Sequence, residues 1–496
     1  MWLRRKRSTI GVTLFTLIIL TCLWMNYTLF LEPSASIRVQ SLTSFVANIS
    51  DLEIQIIRPS MSAISVFKAN YTSHYPEYAS KSSFSLECPG LLPPIKIRDE
   101  QKWLPVENST RMYVFSAYYD DINGKPYIRL IGLSQGESNV IFCQVWFMGN
   151  TNIRQPDTRR LEIVRGSITA IANRASKRYQ EVYYLCPVGN DKIPTAVSVV
   201  ATKCQEPYNI LSVMPRSQQV KTKRNFTICL SPLNINYSRA YELVEWLELN
   251  GILGADFFVI YNYSSASNIR KVLKLYSDRS LGEVIQWPLP MAVDTWPPSD
   301  IKSEVTYYGQ TAALNDCLYR SRPNTKFLIN VDLDEFIIPR SNGSYIWWDM
   351  LKILPRANGY TFLNTFFRKD WPDYRTPGNK LLVSPGYLSD VESYNLITLK
   401  KLQRENLILP KGQRSKYMVN PEEVISIRVH DIWKYRNEQE TFSVDPNIGL
   451  LHHYRNWFNP GVGTRVEDSR LLIYQDELVR RVRSIWSKLN GVPLDR

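Results

Sequence analysis

The chain has 496 residues, and its 60 Lys and Arg outnumber 46 Asp and Glu for a formal charge of +14. Its bases are spread along the chain and not gathered in one arm. That disfavours a nucleic-acid binder and leaves either a solvated surface or anionic partners such as nucleotide diphosphates, acidic glycans or a membrane surface. Its cysteines form no C-x-x-C pair, which argues against zinc-ribbon or thioredoxin chemistry.

From the N-terminus, Arg4–Arg7 precede a largely apolar run from Ile10 to Leu31. The run is long enough to cross a hydrocarbon core of roughly 30 Å as a helix. Basic flanks stay cytosolic, so residues 1–9 are expected as a cytoplasmic tail and 10–31 as a signal-anchor helix, with the remainder lumenal. A cleaved signal peptide is the alternative. Residues 32–104, rich in Ser, Pro and Asn, read as a stem. N-x-S/T sequons at Asn48, Asn70, Asn108, Asn225, Asn236, Asn262 and Asn342 suit a lumenal glycoprotein. So do Cys88, Cys143, Cys186, Cys204, Cys229 and Cys317, expected as disulfides of undetermined pairing or, in part, as buried thiols.

Residues 105–215 alternate short β-branched and aromatic runs with turns, among them a hairpin-like turn at Asp120–Gly124, and are expected as a smaller β-rich domain. The pattern changes near Lys221. Strands are expected at Phe226–Leu230, Asp256–Tyr261 and Gly282–Trp287, with helices at Tyr241–Leu249 and Asn268–Tyr276 between them. Strand and helix in alternation predict an α/β domain with parallel strands over 221–470, followed by a helical tail over 471–496. Such sheets bind ligands beyond the carboxyl ends of their strands.

A helix is expected at Thr306–Arg320 and a buried strand at Lys326–Val331, which leads into Asp332, Leu333, Asp334 and Glu335. In an extended stretch Asp332 and Asp334 share a face and Leu333 turns back to the core. Two carboxylates so placed repel unless a cation or donors lie between them. A hard divalent ion, Mn²⁺ or Mg²⁺, meets that need and would neutralise a substrate diphosphate. A solvated turn with structural acids is the competing reading.

Five segments carry a resemblance: Tyr241–Trp246, Gly254–Tyr261, Asn315–Arg320, Val331–Phe336 and His453–Arg455 resemble glycosyltransferase family 92 in order and spacing. Ser116–Asp120 is similar to that family's upstream β region, so the likeness runs over roughly residues 105–460. It implies a type II membrane enzyme with a GT-A-like nucleotide-sugar-binding fold, and inverting galactosyl transfer from UDP-galactose with manganese. It also implies metal ligation by Asp332, Asp334 and His453, with Asp332 near the donor ribose. Asn315 and Asp316 are implied at uracil or ribose, and Arg414 and Lys416 at the diphosphate, with local pairing or an exposed loop as alternatives. His430 is a second candidate for the pocket, and Glu335 is expected to support the strand or pair with a basic residue. Inversion requires a carboxylate base, for which Asp370 and Asp373 are candidates. The expectation is therefore a Golgi membrane glycosyltransferase that takes a nucleotide-sugar donor and a glycoprotein glycan acceptor and does not bind nucleic acid. A catalytically silent glycan-binding or scaffolding protein of the same fold is the alternative.

Overall fold

Eight strands between Leu104 and Met214 belong to one sheet whose last strand returns to pair with its second. They are β1 (Leu104–Pro105), β2 (Met112–Ile122), β3 (Lys125–Ser134), β4 (Ile141–Phe147), β5 (Arg160–Ala170), β6 (Gln180–Pro187), β7 (Ala196–Val200) and β8 (Leu211–Met214). Their order is β1-β2-β3-β6-β5-β4-β7-β8, and the β2–β8 contact closes the ring of β2 to β8 around its own apolar core. The computed structural model describes residues 87–495 apart from 92–96, 98–100, 110, 123, 137–139, 148–159, 173–176, 190–192, 215–223, 296, 374–382 and 457–463. The expected tail, anchor helix and most of the stem, with Asn48 and Asn70, lie outside these residues. Among the described residues no helix is long and apolar enough to cross a membrane.

Two expectations change in this half. Asp120 is not a turn residue: β2 runs on to Ile122, and Asp120 is buried within it. The described end of the stem packs against the fold, with Cys88, Leu91 and Trp103 buried and the Trp103 ring meeting Phe115 and Trp287.

The second sheet has seven strands in the order β11-β10-β9-β12-β17-β14-β20. Its parallel heart is β9 (Arg224–Leu233), β10 (Phe257–Asn262), β11 (Gly282–Gln286) and β12 (Thr325–Asn330). Helices α1 (Ala240–Leu253), α2 (Ser267–Asp278) and α3 (Gln310–Ser321) lie between these strands in sequence. Side chains alternate across a strand: Phe226, Ile228 and Leu230 of β9 join one core with α1 and α2, while Cys229 joins the opposite core with α3. That second core also takes Tyr113, Phe115, Tyr118, Ile131 and Leu133 from the first sheet, so the β-rich region is bonded to the α/β region by shared burial. Disulfides Cys88–Cys204, Cys143–Cys186 and Cys229–Cys317 supply the pairing that spacing left open, and the last ties β9 to α3.

Beyond β12 the chain forms β13 (Glu335–Pro339), β14 (Gly359–Phe362), β15 (Asn364–Phe367), β16 (Gln403–Glu405), β17 (Lys416–Val419), β18 (Val424–Ile427), β19 (Ile432–Tyr435), β20 (Phe442–Ser443), β21 (Gly449–Tyr454) and β22 (Arg465–Glu467). A three-stranded sheet, β13-β21-β15, places His453 in register with Glu335 on one side and Phe366 on the other. The α/β expectation holds, with antiparallel β17 added to the parallel strands. The segment 471–496 is not a separate tail. Its helix α4 (Gln475–Lys488) buries Leu478, Val479, Val482 and Ile485 in the core it shares with α1. The expected helix at Thr306–Arg320 is broken: Tyr307, Tyr308 and Gly309 are left-handed, with φ of 39°, 57° and 66°, and α3 begins only at Gln310.

Candidate active site: an acidic turn in a cleft

Parallel β9 and β12 both end at one edge of the sheet, where a cleft of about 1140 Å³ opens. Its walls come from Leu230–Ile235 at the end of β9 and just beyond it, Tyr307 and Tyr308 before α3, Gln310 at the start of α3, the acidic turn after β12, and Arg414, Val429 and His430. Asp332–Glu335 is a turn and not an extended stretch: Glu335 N donates to Asp332 O at 3.1 Å and Asp332 N to Glu335 Oε2 at 2.9 Å. Trp246 Nε1 of α1 donates to Asp332 O at 2.9 Å, and Tyr454 N to Asp334 O at 2.8 Å, so the turn is held from both sides. The expected alternation of faces therefore fails, because a turn does not preserve the strand's period of two. Leu333 faces partly into the cleft.

The two aspartates meet different partners. Asp332 Oδ2 accepts from Lys416 Nζ at 2.8 Å and its Oδ1 from Ser231 Oγ at 3.2 Å, with Ser231 in turn accepting from Gln310 at 2.7 Å. Lys416 is fully buried, begins β17, and also meets Glu335 Oε2 at 3.3 Å. Burial would discharge this ammonium, but Asp332 and Glu335 reverse that and raise its pKa. Burial likewise raises Glu335, against the pull of Lys416. Lys416 is thus the buried counter-charge of the acidic turn, neither the diphosphate ligand nor the exposed loop residue expected of it, while Asp332, paired with it, still lines the cleft.

Asp334 faces His453, with Oδ2 3.5 Å from Nε2. Two acceptors converge on the other ring nitrogen: Asn364 Oδ1 at 2.9 Å and Glu335 Oε1 at 3.4 Å from Nδ1. Nδ1 therefore carries the proton, and the buried Nε2 has no hydrogen-bond partner. An imidazole lone pair aimed at a carboxylate oxygen is repulsive unless positive charge lies between them, and a carboxylate and a neutral imidazole are a donor pair for a divalent cation. Among the described residues no three His, Cys, Asp or Glu side chains already stand in a metal-binding arrangement. Of the expected trio, Asp334 and His453 face each other directly, and Asp332 lines the same cleft with its carboxylate paired to Lys416.

Of the other candidates, Arg414 and His430 line the cleft. Burial and Lys416 lower His430 to about 4, so it stays neutral. Asn315 and Asp316 do not reach the cleft. Asn315 is buried, accepting from Tyr183 Oη at 2.7 Å and Ile427 N at 3.0 Å, and donating to Thr311 O and Ile427 O. Asp316 accepts from Ser116, from Tyr118 at 2.6 Å, Tyr261 at 2.5 Å and Arg320 at 3.1 Å. Both lock α3 to the strands around it, and Asp316 has no bond left for a ligand. Asp370 and Asp373 are also absent from the cleft walls. Asp370 is bonded to Arg368 at 2.7 and 3.0 Å, and Asp373 to Lys401 at 2.9 Å, because adjacent bases claim them. Sequons Asn108, Asn236 and Asn342 are exposed, whereas Asn262 is buried at the end of β10, with its amide 3.4 Å from Gln286.

The sequence reading missed Ser231, Glu242, Asp294, Tyr307, Lys369 and Arg455, all on the cleft wall. Glu242, inside the Tyr241–Trp246 segment, and Arg455, inside the His453–Arg455 segment, were the ones that carried a signal.

The profile of glycosyltransferase family 92 matches residues 224–480, from the start of β9 into α4. The chain belongs to glycosyltransferase family 92. Among curated relatives, Beta-1,4-galactosyltransferase galt-1 of Caenorhabditis elegans is 25% identical over 46% of this chain and 51% of that protein. Glycosyltransferase family 92 protein F59C6.8 of the same organism is 24% identical over 49% of this chain and 44% of that protein. The chain thus spans about half the length of these relatives or less. A glucosyl-3-phosphoglycerate synthase from Mycobacterium tuberculosis, solved with Mn²⁺, UDP and phosphoglyceric acid, aligns at 11% identity and a TM-score of 0.21, over 54% of this chain and 80% of that one. So slight a likeness adds nothing to the family assignment.

Proposed function

We propose that this family 92 chain is a GT-A-like, divalent-metal-dependent inverting glycosyltransferase that moves galactose from UDP-galactose to a glycoprotein glycan. The observation that carries the reading is the pair Asp334–His453 in the cleft, its imidazole Nε2 unpartnered and aimed at the carboxylate. Mn²⁺, or Mg²⁺, bound by these two side chains would neutralise the diphosphate leaving group. Two protein ligands suffice where phosphate oxygens and water complete the shell. Asn364 fixes the tautomer that points Nε2 into the cleft. Lys416 holds Asp332 in place, and Arg414, Lys369 and Arg455 add positive charge to the same walls. The carboxylates that line the cleft outside the acidic turn are Glu242, held by Arg239 at 2.7 Å and Lys369 at 2.9 Å, and Asp294. They replace Asp370 and Asp373 as candidates for the base.

Galactose is supported by the similarity to Beta-1,4-galactosyltransferase galt-1. A Golgi location with a type II anchor at 10–31 is supported by the basic-then-apolar N-terminus, the exposed sequons and three disulfides, which belong to oxidising compartments. Manganese-dependent UDP release by the purified full-length chain, with and without glycan acceptors, tests the enzyme reading. A folded sample that neither releases nor binds UDP across a panel of nucleotide sugars would leave the silent glycan-binding reading in its place.

A further inference from the structure

Backbone strain in this molecule gathers at the cleft. Four of the seven non-glycine residues with positive φ among the described residues, namely Ile235, Tyr307, Tyr308 and Arg414, line it. Left-handed conformations of bulky residues persist only where the surroundings over-determine them, and they mark sites of function. The corner at Tyr307–Gly309 is held in this way. Tyr308 is buried, its hydroxyl donates to Asp294 O, and its carbonyl accepts from Trp287 Nε1 at 2.9 Å. Gly309 sits against Leu289 and Trp287. The outcome is that Tyr307, with φ of 39°, is 71% exposed on the cleft wall. The second strained corner, Ile235–Asn236, is pinned by Ser264, whose Oγ accepts from Asn236 N at 3.0 Å, and leaves Ile235 50% exposed. Ile235 and Tyr307 are the two large hydrophobic residues of this cleft wall that are exposed.

We infer that Tyr307, with Ile235, is the apolar platform that receives the base of the nucleotide donor. The inference rests on the proposed use of a nucleotide sugar. Phosphates that meet Asp334 and His453 place the base one ribose away, and a flat heterocycle gains most from an exposed ring. The platform is tied to the acidic turn without being part of it: Gln310, three residues after Tyr307, bonds Ser231, and Ser231 bonds Asp332. A sugar ring, whose hydroxyls ask for polar partners, is the poorer match to these two side chains.

The test is calorimetric titration of the full-length chain with UDP and, separately, with inorganic pyrophosphate, both with Mn²⁺, in the native protein and in Tyr307→Ala, Tyr307→Phe and Tyr307→Gly. Glycine accepts the left-handed corner without strain, so Tyr307→Gly guards against loss by misfolding. The expected result is UDP binding weakened roughly tenfold to a hundredfold in the alanine and glycine variants, the range for removal of a base-stacking ring. Pyrophosphate binding stays unchanged, and Tyr307→Phe stays near native. Native-like UDP affinity in the alanine variant, or equal loss of UDP and pyrophosphate, overturns the platform alone. A native protein that binds neither overturns the proposed function as well.

Discussion

Two acidic clusters in this protein look alike in sequence and differ in saturation. Between the two sheets, Asp316 accepts four hydrogen bonds, and Asp120 is ringed by Arg129 at 3.0 Å, Arg322 at 2.8 Å and Arg436 at 2.5 Å. At the sheet's edge, the turn Asp332–Glu335 has one lysine, and His453 Nε2 and Glu335 Oε1 are left without hydrogen bonds. Buried polar atoms are nearly always paired. A closed cluster is scaffolding, and an open one in a cleft is poised for a ligand. Both lie inside or beside segments that resemble family 92, so membership alone does not separate them.

The sharpest way to break this contrast is to exchange its consequences. Asp334→Asn should lower nucleotide-sugar turnover by a factor on the order of a thousand, the several kcal/mol that metal charge stabilisation supplies, while thermal stability stays near native. An unfolded variant would make the acid structural. Asp316→Ala should do the reverse. It leaves the buried donors Ser116, Tyr118 and Tyr261 without their acceptor and Arg320 with Glu283 alone at 3.5 Å, and should cost about 3–5 kcal/mol of stability, read by denaturant unfolding, with the KM for donor unchanged in whatever remains folded. A shifted KM at native stability would place Asp316 in the site after all.

Smaller effects sharpen the comparison. Asn364→Leu removes the acceptor that sets the His453 tautomer and should weaken Mn²⁺ binding about 10-fold to 100-fold, measured by titration without substrate. The closed cluster should show itself in acid. Burial pushes Asp120 up, but its three arginines prevail and hold it at about 2, below the ordinary 3.8. A depressed folded pKa gives stability that is complete above the unfolded value and lost as pH falls through the folded one. About 2 kcal/mol should therefore disappear between roughly pH 4 and pH 2. Arg436→Gln should shrink that loss, and an unchanged acid limb of the stability curve would remove Asp120 from the account.

The α/β order, the parallel strands and the acidic turn were legible because hydrophobic runs and their punctuation are local. The pairing of Asp332 with Lys416 was not, because 84 residues separate them and only the β12–β17 pairing joins them. Asn315 and Asp316 drew attention as polar residues in a family segment, yet their partners Tyr183, Ser116 and Tyr118 come from the other sheet. Tyr307 was hidden inside an apparent helix, since no composition rule reports a left-handed corner held by Trp287 and Asp294. His453 was found through its resemblance, and its tautomer only through Asn364.

Asp334 and His453 are proposed to bind a divalent cation together with the donor. Thermal unfolding of the full-length chain with Mn²⁺, with UDP-galactose and with both addresses it, because a ligand that binds only the folded state raises apparent stability. The two together should stabilise more than the sum of each alone, and Asp334→Asn should abolish the excess. Equal stabilisation by UDP-galactose in the presence of a chelator, or an undiminished excess in Asp334→Asn, would contradict it.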